Sequence, residues 1–274
     1  MTTNLIATSL LIFIVTFVFL AFYIPIWRKR WIRNKPFPKE WSAILHANLP
    51  IYPALKPQEK TRLQQLILLF IAKKRFVGCA GLEITDLIRI TIAAEACLLL
   101  LNHPKTAVYP KLLSILVYPS AFRAEREQLR EDGTVSLAAH NLSGESWSNG
   151  KVILSWDDVT SGASDFTDGR NVVLHEFAHQ LDSASGSTNG APPLRRTSYG
   201  SWATVLSEEF EALRGANFHR HKTVMDQYGA TNPAEFFAVA TETFFEKPQQ
   251  LYLKHQALYE ELQGYYQADP REWH

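Results

Sequence analysis

From Met1 to Trp27 the chain carries no charged residue, and Leu5 to Ile26 (LIATSLLIFIVTFVFLAFYIPI) stays apolar for about 22 residues, enough for a helix to cross a hydrocarbon core of about 30 Å. Such a segment withdraws from any water-soluble core, so the rest of the fold must be built from the residues beyond it. Residues 1–27 read as an N-terminal transmembrane anchor. A cleaved leader fits less well, because Met1-Thr2-Thr3-Asn4 is uncharged and Tyr23-Ile24-Pro25-Ile26-Trp27 lacks the small residues of a cleavage site. Arg28, Lys29, Arg30, Arg33 and Lys35 follow the span and nothing positive precedes it. The positive-inside bias then keeps the long C-terminal part in the cytoplasm, as a single-pass protein of the inner (cytoplasmic) membrane, with Trp27 and Trp31 at the interface.

The whole chain has 274 residues, 46% of them apolar, and a net charge of +1, which suits one substantial core and gives no electrostatic footprint for direct nucleic-acid binding. Cys79 and Cys97 have no metal-pair spacing and fit a reducing compartment, packed as small apolar side chains. Residues 28–57, with Pro36, Pro38, Pro50, Pro53 and Pro57, read as a basic, proline-containing linker, and residues 58–270 as the main domain. Thr61 to Lys74 and Thr85 to Leu101 repeat apolar residues at helical spacing; Asp86, Arg89 and Glu95 keep the second from being another span. Ser114–Tyr118, Thr134–Ala138 and Lys151–Trp156 read as short strands of a small mixed sheet, the last either running along a cleft with a free edge that accepts a peptide as an added strand or standing as an ordinary internal strand. Helices are expected at Trp202–Leu213, from Asn232 onward, and as one final helix over Leu251–Tyr266. The class is α+β, a small mixed sheet with flanking helices, preceded by one transmembrane helix.

The chemistry concentrates in Val172-Val173-Leu174-His175-Glu176-Phe177-Ala178-His179-Gln180-Leu181-Asp182. His175 and His179 stand one helical turn apart and can face one metal, with Glu176 beside the first as a general base, the arrangement of a zinc peptidase. The plainer reading is a buried amphipathic helix whose histidines bond to backbone carbonyls. Zinc needs a third protein ligand if a fourth position is kept for water, and position 185, where a compact motif would place a third histidine, is Ser185. Glu235 follows Asn232 and Pro233 in the first turn of a helix, and either supplies that ligand or merely closes a capping box with Asn232. Glu242, seven residues on and roughly on the same face, is the rival. Asp182 suits an acceptor that orients a ligand imidazole. Tyr228, just upstream, suits a donor to a developing oxyanion, or packs at a helix end. His140 lies near the sheet in a position to touch substrate, while His219 and His221 sit among charges and read as solvated.

Four separated blocks, Asn171 to Asp182, Tyr228 to Val239, Phe244-Phe245-Glu246-Lys247-Pro248 and Tyr265-Tyr266-Gln267-Ala268-Asp269-Pro270, together resemble the Mlc titration factor A family of bacterial zinc metallopeptidases, over about residues 40 to 270. The resemblance implies a zincin-like core similar to the catalytic domain of anthrax lethal factor. It further implies Zn2+ held by His175, His179 and Glu235, with Glu176 as general base, Tyr228 as the active-site tyrosine and Asp182 in an orienting role. The best-known member binds the transcriptional repressor Mlc and has aminopeptidase-type activity, so the implied partners are a peptide or protein substrate and a repressor of that type. The membrane anchor departs from that soluble member. The alternative is a membrane-tethered binding or regulatory protein that retains the zinc site without significant turnover.

Overall fold

In the computed structural model, residues 2–103, 107–120, 122–129, 135–142, 144–147, 150–218 and 221–274 are described. The first helix, α1 (Thr2–Arg33), continues without a break from the apolar segment into the basic cluster, and within it Ile12–Arg33 is long and apolar enough to cross a membrane by length and composition. Phe13, Phe17, Phe22, Ile26 and Trp27 point outward uncovered. Among the described residues, α1 meets the rest of the chain through its end: Ile32 is buried and Arg33 Nη2 donates to Gln65 Oε1 at 3.0 Å.

Within residues 28–57 a helix forms, α2 (Lys39–Asn48), followed by a tight turn at Tyr52–Ala54; Leu45, Leu49, Ile51, Tyr52 and Leu55 are all buried in the core. The prolines bracket this helix and none interrupts it, with Pro38 at its N-cap. Next come α3 (Pro57–Lys73), β1 (Arg75–Gly78) and α4 (Asp86–Leu98). Apolar side chains surround α4 along its length, from Ile88 to Leu98, which makes it the central core helix and not a second span.

Beyond α4 lie β2 (Ser114–Tyr118), β3 (Phe122–Leu129), β4 (Val135–Leu142), β5 (Gly144–Trp147), β6 (Lys151–Ser155) and α5 (Trp156–Ser164). The main sheet has the order β1-β2-β6-β5, the first three parallel and β5 antiparallel to β6, so it is mixed. β3 and β4 form a separate antiparallel pair. The expected free edge on Lys151–Trp156 is overturned: β6 is bonded on both sides, Ile115 opposite Val152 and Ser146 opposite Val152 across the other edge, and Trp156 already belongs to α5. Four consecutive buried residues, Val152 to Ser155, are the pattern of a strand covered on both faces. The edge next to it is β5. The strand expected from Thr134 does form, as β4, but in the separate hairpin.

The remaining helices are α6 (Val172–Asp182), α7 (Tyr199–Phe218), α8 (Pro233–Glu246), α9 (Pro248–Lys254) and α10 (Gln256–Tyr266). The single final helix expected over Leu251–Tyr266 is two, broken at His255, whose Nδ1 pairs with Glu209 Oε2 of α7 at 2.7 Å. In α6 Val173, Leu174, Phe177 and Ala178 are buried, and Phe177 packs on Phe70 and Tyr109. In α8 every residue from Phe236 to Glu246 is buried. α6 packs against β5 and β6, α8 packs against α6, and these two helices carry the site. Cys79 and Cys97 are both free thiols.

Candidate metal centre

Asn171 begins α6 by accepting from Leu174 N at 2.9 Å, which fixes the helix phase so that His175 and His179 emerge on the side facing α8. Asn232 does the same for α8, its Oδ1 accepting from Ala234 N and Glu235 N at 3.0 Å, with Pro233 at the first position. Glu235 therefore leaves the first turn of α8 directed at the histidines. Its Oε2 lies 2.9 Å from His175 Nε2 and 3.3 Å from His179 Nε2. Burial alone would raise the Glu235 carboxyl, but the hydrogen bonds from His175 and His179 and their charge hold it down to about 2.

One potential ligand atom from each of His175, His179 and Glu235 lies within 4.8 Å of the other two, so the cluster can hold a metal ion. Two imidazole nitrogens and a carboxylate oxygen form a donor set that suits zinc. Glu242 is placed differently. Its Oε1 meets the other nitrogen of the same ring, His175 Nδ1, at 2.7 Å, and its Oε2 accepts from Asn171 N at 2.6 Å. With Nδ1 donating to Glu242, Nε2 is the nitrogen that faces Glu235 and that would bind a metal on giving up its proton. Burial works against a charged His175, yet the Glu242 charge and the bonds to both glutamates raise its pKa well above the ordinary imidazole value.

Glu176 is buried, 4% exposed, beside the cluster. Tyr228 sits on the short turn Gln227–Ala230, 55% exposed, its ring centre 5.9 Å from that of His175. Burial first, then the charges of Glu235 and Glu176, raise its phenol pKa, so it remains a proton-bearing donor. Asp182 Oδ2 accepts from Gly190 N at 2.7 Å in the loop after α6, and the carboxylate also feels the charge of His179; Trp202 Nε1 donates to Gly190 O at 2.9 Å. Gly190 has a φ of +79° and leaves no room for a Cβ, which would stand 2.5 Å from Pro233 O. Asp182 thus ties the end of α6 to the start of α8. His221 is exposed; His219 and the side chain of His140 lie outside the described residues.

Behind the site are carboxylates that periodicity and spacing do not single out as a group. Glu246 Oε2 accepts from Arg170 N at 3.0 Å, and burial, with the Glu242 charge, pushes Glu246 up to about 9. Glu95 on α4 is wholly buried and pushed up to about 8 by burial. The only signal for this in the sequence is acidic residues inside apolar helical runs.

Relatedness to known proteins covers the elements from the end of α1 through α10. The model of the glucose-regulated metallo-peptidase M90 family matches residues 24–267. An uncharacterized protein, slr2042, of Synechocystis sp. is 43% identical over 247 residues, covering 89% of each chain. The Mlc titration factor A of Yersinia pestis (strain Pestoides F) is 31% identical over 257 residues, covering 88% of this chain and 89% of its own, as is that of Yersinia pseudotuberculosis serotype O:1b. The match runs through both α6 and α8 and so takes in all three residues of the cluster; the chain belongs to the glucose-regulated metallo-peptidase M90 family.

Proposed function

We propose that this chain is a membrane-tethered zinc peptidase, hydrolysing peptide bonds in an aminopeptidase-like manner with its domain on the cytoplasmic side of the inner membrane. The convergence of His175 Nε2, His179 Nε2 and Glu235 Oε2 on one point carries the reading. The placement of the sheet beside α6, with α8 supplying the third donor, supports a zincin-like core similar to that of the lethal factor catalytic domain. The zinc, when bound, supplies Lewis-acid polarisation of a carbonyl and lowers the pKa of water.

The side chains do the rest. Glu242 holds His175 in its tautomer, and Glu176 takes a proton from the attacking water and delivers it to the leaving amine. Tyr228 donates a hydrogen bond from its phenol to the developing oxyanion and keeps its proton. Asp182 keeps the two ligand helices in register through Gly190. The test is zinc content and turnover of aminoacyl nitroanilides by the full chain in detergent. Glu176→Gln is expected to keep its zinc and lose turnover; equal turnover by that variant would sink the mechanism.

A second reading is favoured by the name its Yersinia relatives carry, Mlc titration factor A. A protein that titrates a repressor works by binding it, and this chain then uses its metal site to shape a binding surface, without significant turnover. Capture of a repressor of that type by the Glu176→Gln variant as efficiently as by the native chain, together with no hydrolysis by either, is the outcome that selects this reading.

A further inference from the structure

Where α1 leaves the apolar stretch it meets α3, and between them lies a cavity of about 300 Å³. Its walls are largely polar and cationic: Arg33 at the end of α1 and Lys35 just past it, Thr61, Gln64 and Gln65 from α3, with Phe37 and Leu68 as the apolar lining. No carboxylate lines it. Gln65 presents its oxygen to Arg33 Nη2, which leaves its NH2 group as a donor, and Gln64 is held by donating to the Tyr52 hydroxyl at 2.8 Å. Arg33 Nε is buried with no hydrogen-bond partner among the described residues. That Nε has no accessible surface and lies behind the wall; the remaining guanidinium nitrogens of Arg33 and the ammonium of Lys35, lining a cavity free of carboxylates, are groups that suit an anion.

The surroundings add to the positive field. Arg62 lies on the neighbouring face of α3; burial first, and then the charge of Arg33, lower its pKa. Lys35 Nζ stands 3.9 Å from the centre of the Trp31 ring, and Trp31 stacks with Trp27. The aromatic pair is thus followed directly by the cationic cavity, the order in which a leaflet presents its interface and its phosphates. The Arg33 backbone is about 10 Å along the helix from Ile26, a few Å beyond a headgroup layer about 5–7 Å thick on each side of the bilayer, and a helical side chain leans back toward the N-terminal, membrane end.

We propose that this cavity binds the phosphate of an anionic phospholipid headgroup in the membrane that α1 crosses, docking the metal-site domain against the leaflet. The proposal rests on the membrane reading of α1. Arg33 and Gln65 supply directed donors to the phosphate oxygens, and Lys35 supplies a point charge at the mouth. The walls also explain selectivity: with two cations and no acid, a headgroup of net negative charge is preferred over a zwitterionic one.

The test uses the full chain in a nonionic detergent, with the unfolding midpoint followed as dioctanoyl phosphatidylglycerol, dioctanoyl phosphatidylcholine or inorganic phosphate is titrated. Phosphatidylglycerol should raise the midpoint saturably, and phosphatidylcholine should not. Lys35→Glu, an exposed position, should weaken the apparent affinity by about fivefold or more, the effect of about 1 kcal/mol per cation near an anionic surface, whereas the same reversal at the remote, exposed Lys254 should not. Arg33→Gln should abolish the response. Equal responses to the two lipids, or an unchanged response in Lys35→Glu, overturn the proposal; an equal response to inorganic phosphate overturns the lipid assignment in favour of a free-anion site. Resistance of the chain to carbonate extraction from membranes reports on the anchor separately, so failure of the cavity and failure of the membrane reading are distinguishable.

Discussion

Glu242 Oε1 lies 2.7 Å from His175 Nδ1 while the second oxygen of the same carboxylate accepts from Asn171 N at 2.6 Å. One side chain of α8 therefore holds both the first imidazole of the cluster and the backbone that starts its helix. An amide in place of this carboxylate has a single acceptor oxygen and leaves one of the two donors unmet. Glu242→Gln should weaken zinc binding by about 10–100-fold and stability by about 1–3 kcal/mol. A chelator competition titration alongside urea unfolding checks both, with Glu176→Gln, which should leave zinc affinity nearly unchanged, as the comparison.

The buried acids behind the site predict an unusual pH dependence. Burial pushes the Glu95 carboxyl from 4.5 to about 8, the nearby Asn171 amide offsetting only part of this, and Glu246 goes to about 9 for the same first reason. Between pH 4.5 and 8 the folded chain keeps a proton on Glu95 that the unfolded chain has released. Stability therefore falls as pH rises through that window, and the Glu246 share of the fall runs on to about 9 before it levels off, each unit of difference being worth about 1.4 kcal/mol. Glu95→Gln, neutral at every pH, should make the slope shallower, leaving the Glu246 part, and be more stable than the native chain at pH 8. Unfolding midpoints at a series of pH values decide it; an unchanged slope would mean that Glu95 already finds a partner for its charge.

Gly190 offers a test of how the two ligand helices are kept in register. Its φ of +79° and the 2.5 Å approach of a built Cβ to Pro233 O both forbid a side chain. Gly190→Ala should destabilise by about 2 kcal/mol or more and loosen zinc by shifting Pro233, two residues before Glu235. Gly200, helical in α7 with open space around it, is the control. Gly200→Ala should stabilise by up to about 1 kcal/mol.

The long periodic segments were legible without coordinates: α3, α4, α6 and α8 each announce themselves by apolar spacing and by a cap or a first-turn proline. The short elements were not. Four residues, Arg75–Gly78 or Gly144–Trp147, hold too few alternations to separate a strand from a loop. The prolines of residues 28–57 suggest a linker because proline breaks helices, yet Pro38 and Pro50 stand outside α2 and leave it intact. At the site, helical spacing puts Glu235 and Glu242 on one face but gives no account of what lies opposite. Two turns, about 10 Å along the axis, let one reach Nε2 and the other Nδ1 of the same His175 ring, and only the crossing of α8 over α6 separates those roles. The Glu209 contact that accompanies the break at His255 is likewise tertiary.

Tyr228 depends on a contact that contributes little to stability. Asp226 Oδ1 accepts from Tyr228 N at 2.9 Å and caps the turn Gln227–Ala230, while Oδ2 pairs with Arg170 Nη2 at 2.8 Å. The Arg170 side chain is 74% exposed, so the ion pair itself is worth less than about 1 kcal/mol. Its effect is positional: Arg170 directly precedes the cap of α6, so the pair fixes the tyrosine-bearing turn to the helix that carries both histidines. Removing the whole carboxylate with Asp226→Ala should lower turnover by about tenfold with zinc content unchanged. Asp226→Asn keeps an oxygen for the Tyr228 amide and loses only the charge, so its turnover should fall between that variant and the native chain. Tyr228→Phe sets the floor for loss of the phenol. If Asp226→Ala turns over like the native chain while Tyr228→Phe does not, the turn holds Tyr228 in place without Asp226, and Gly229, packed against Leu213 and Val239, becomes the part of the turn that must be holding it.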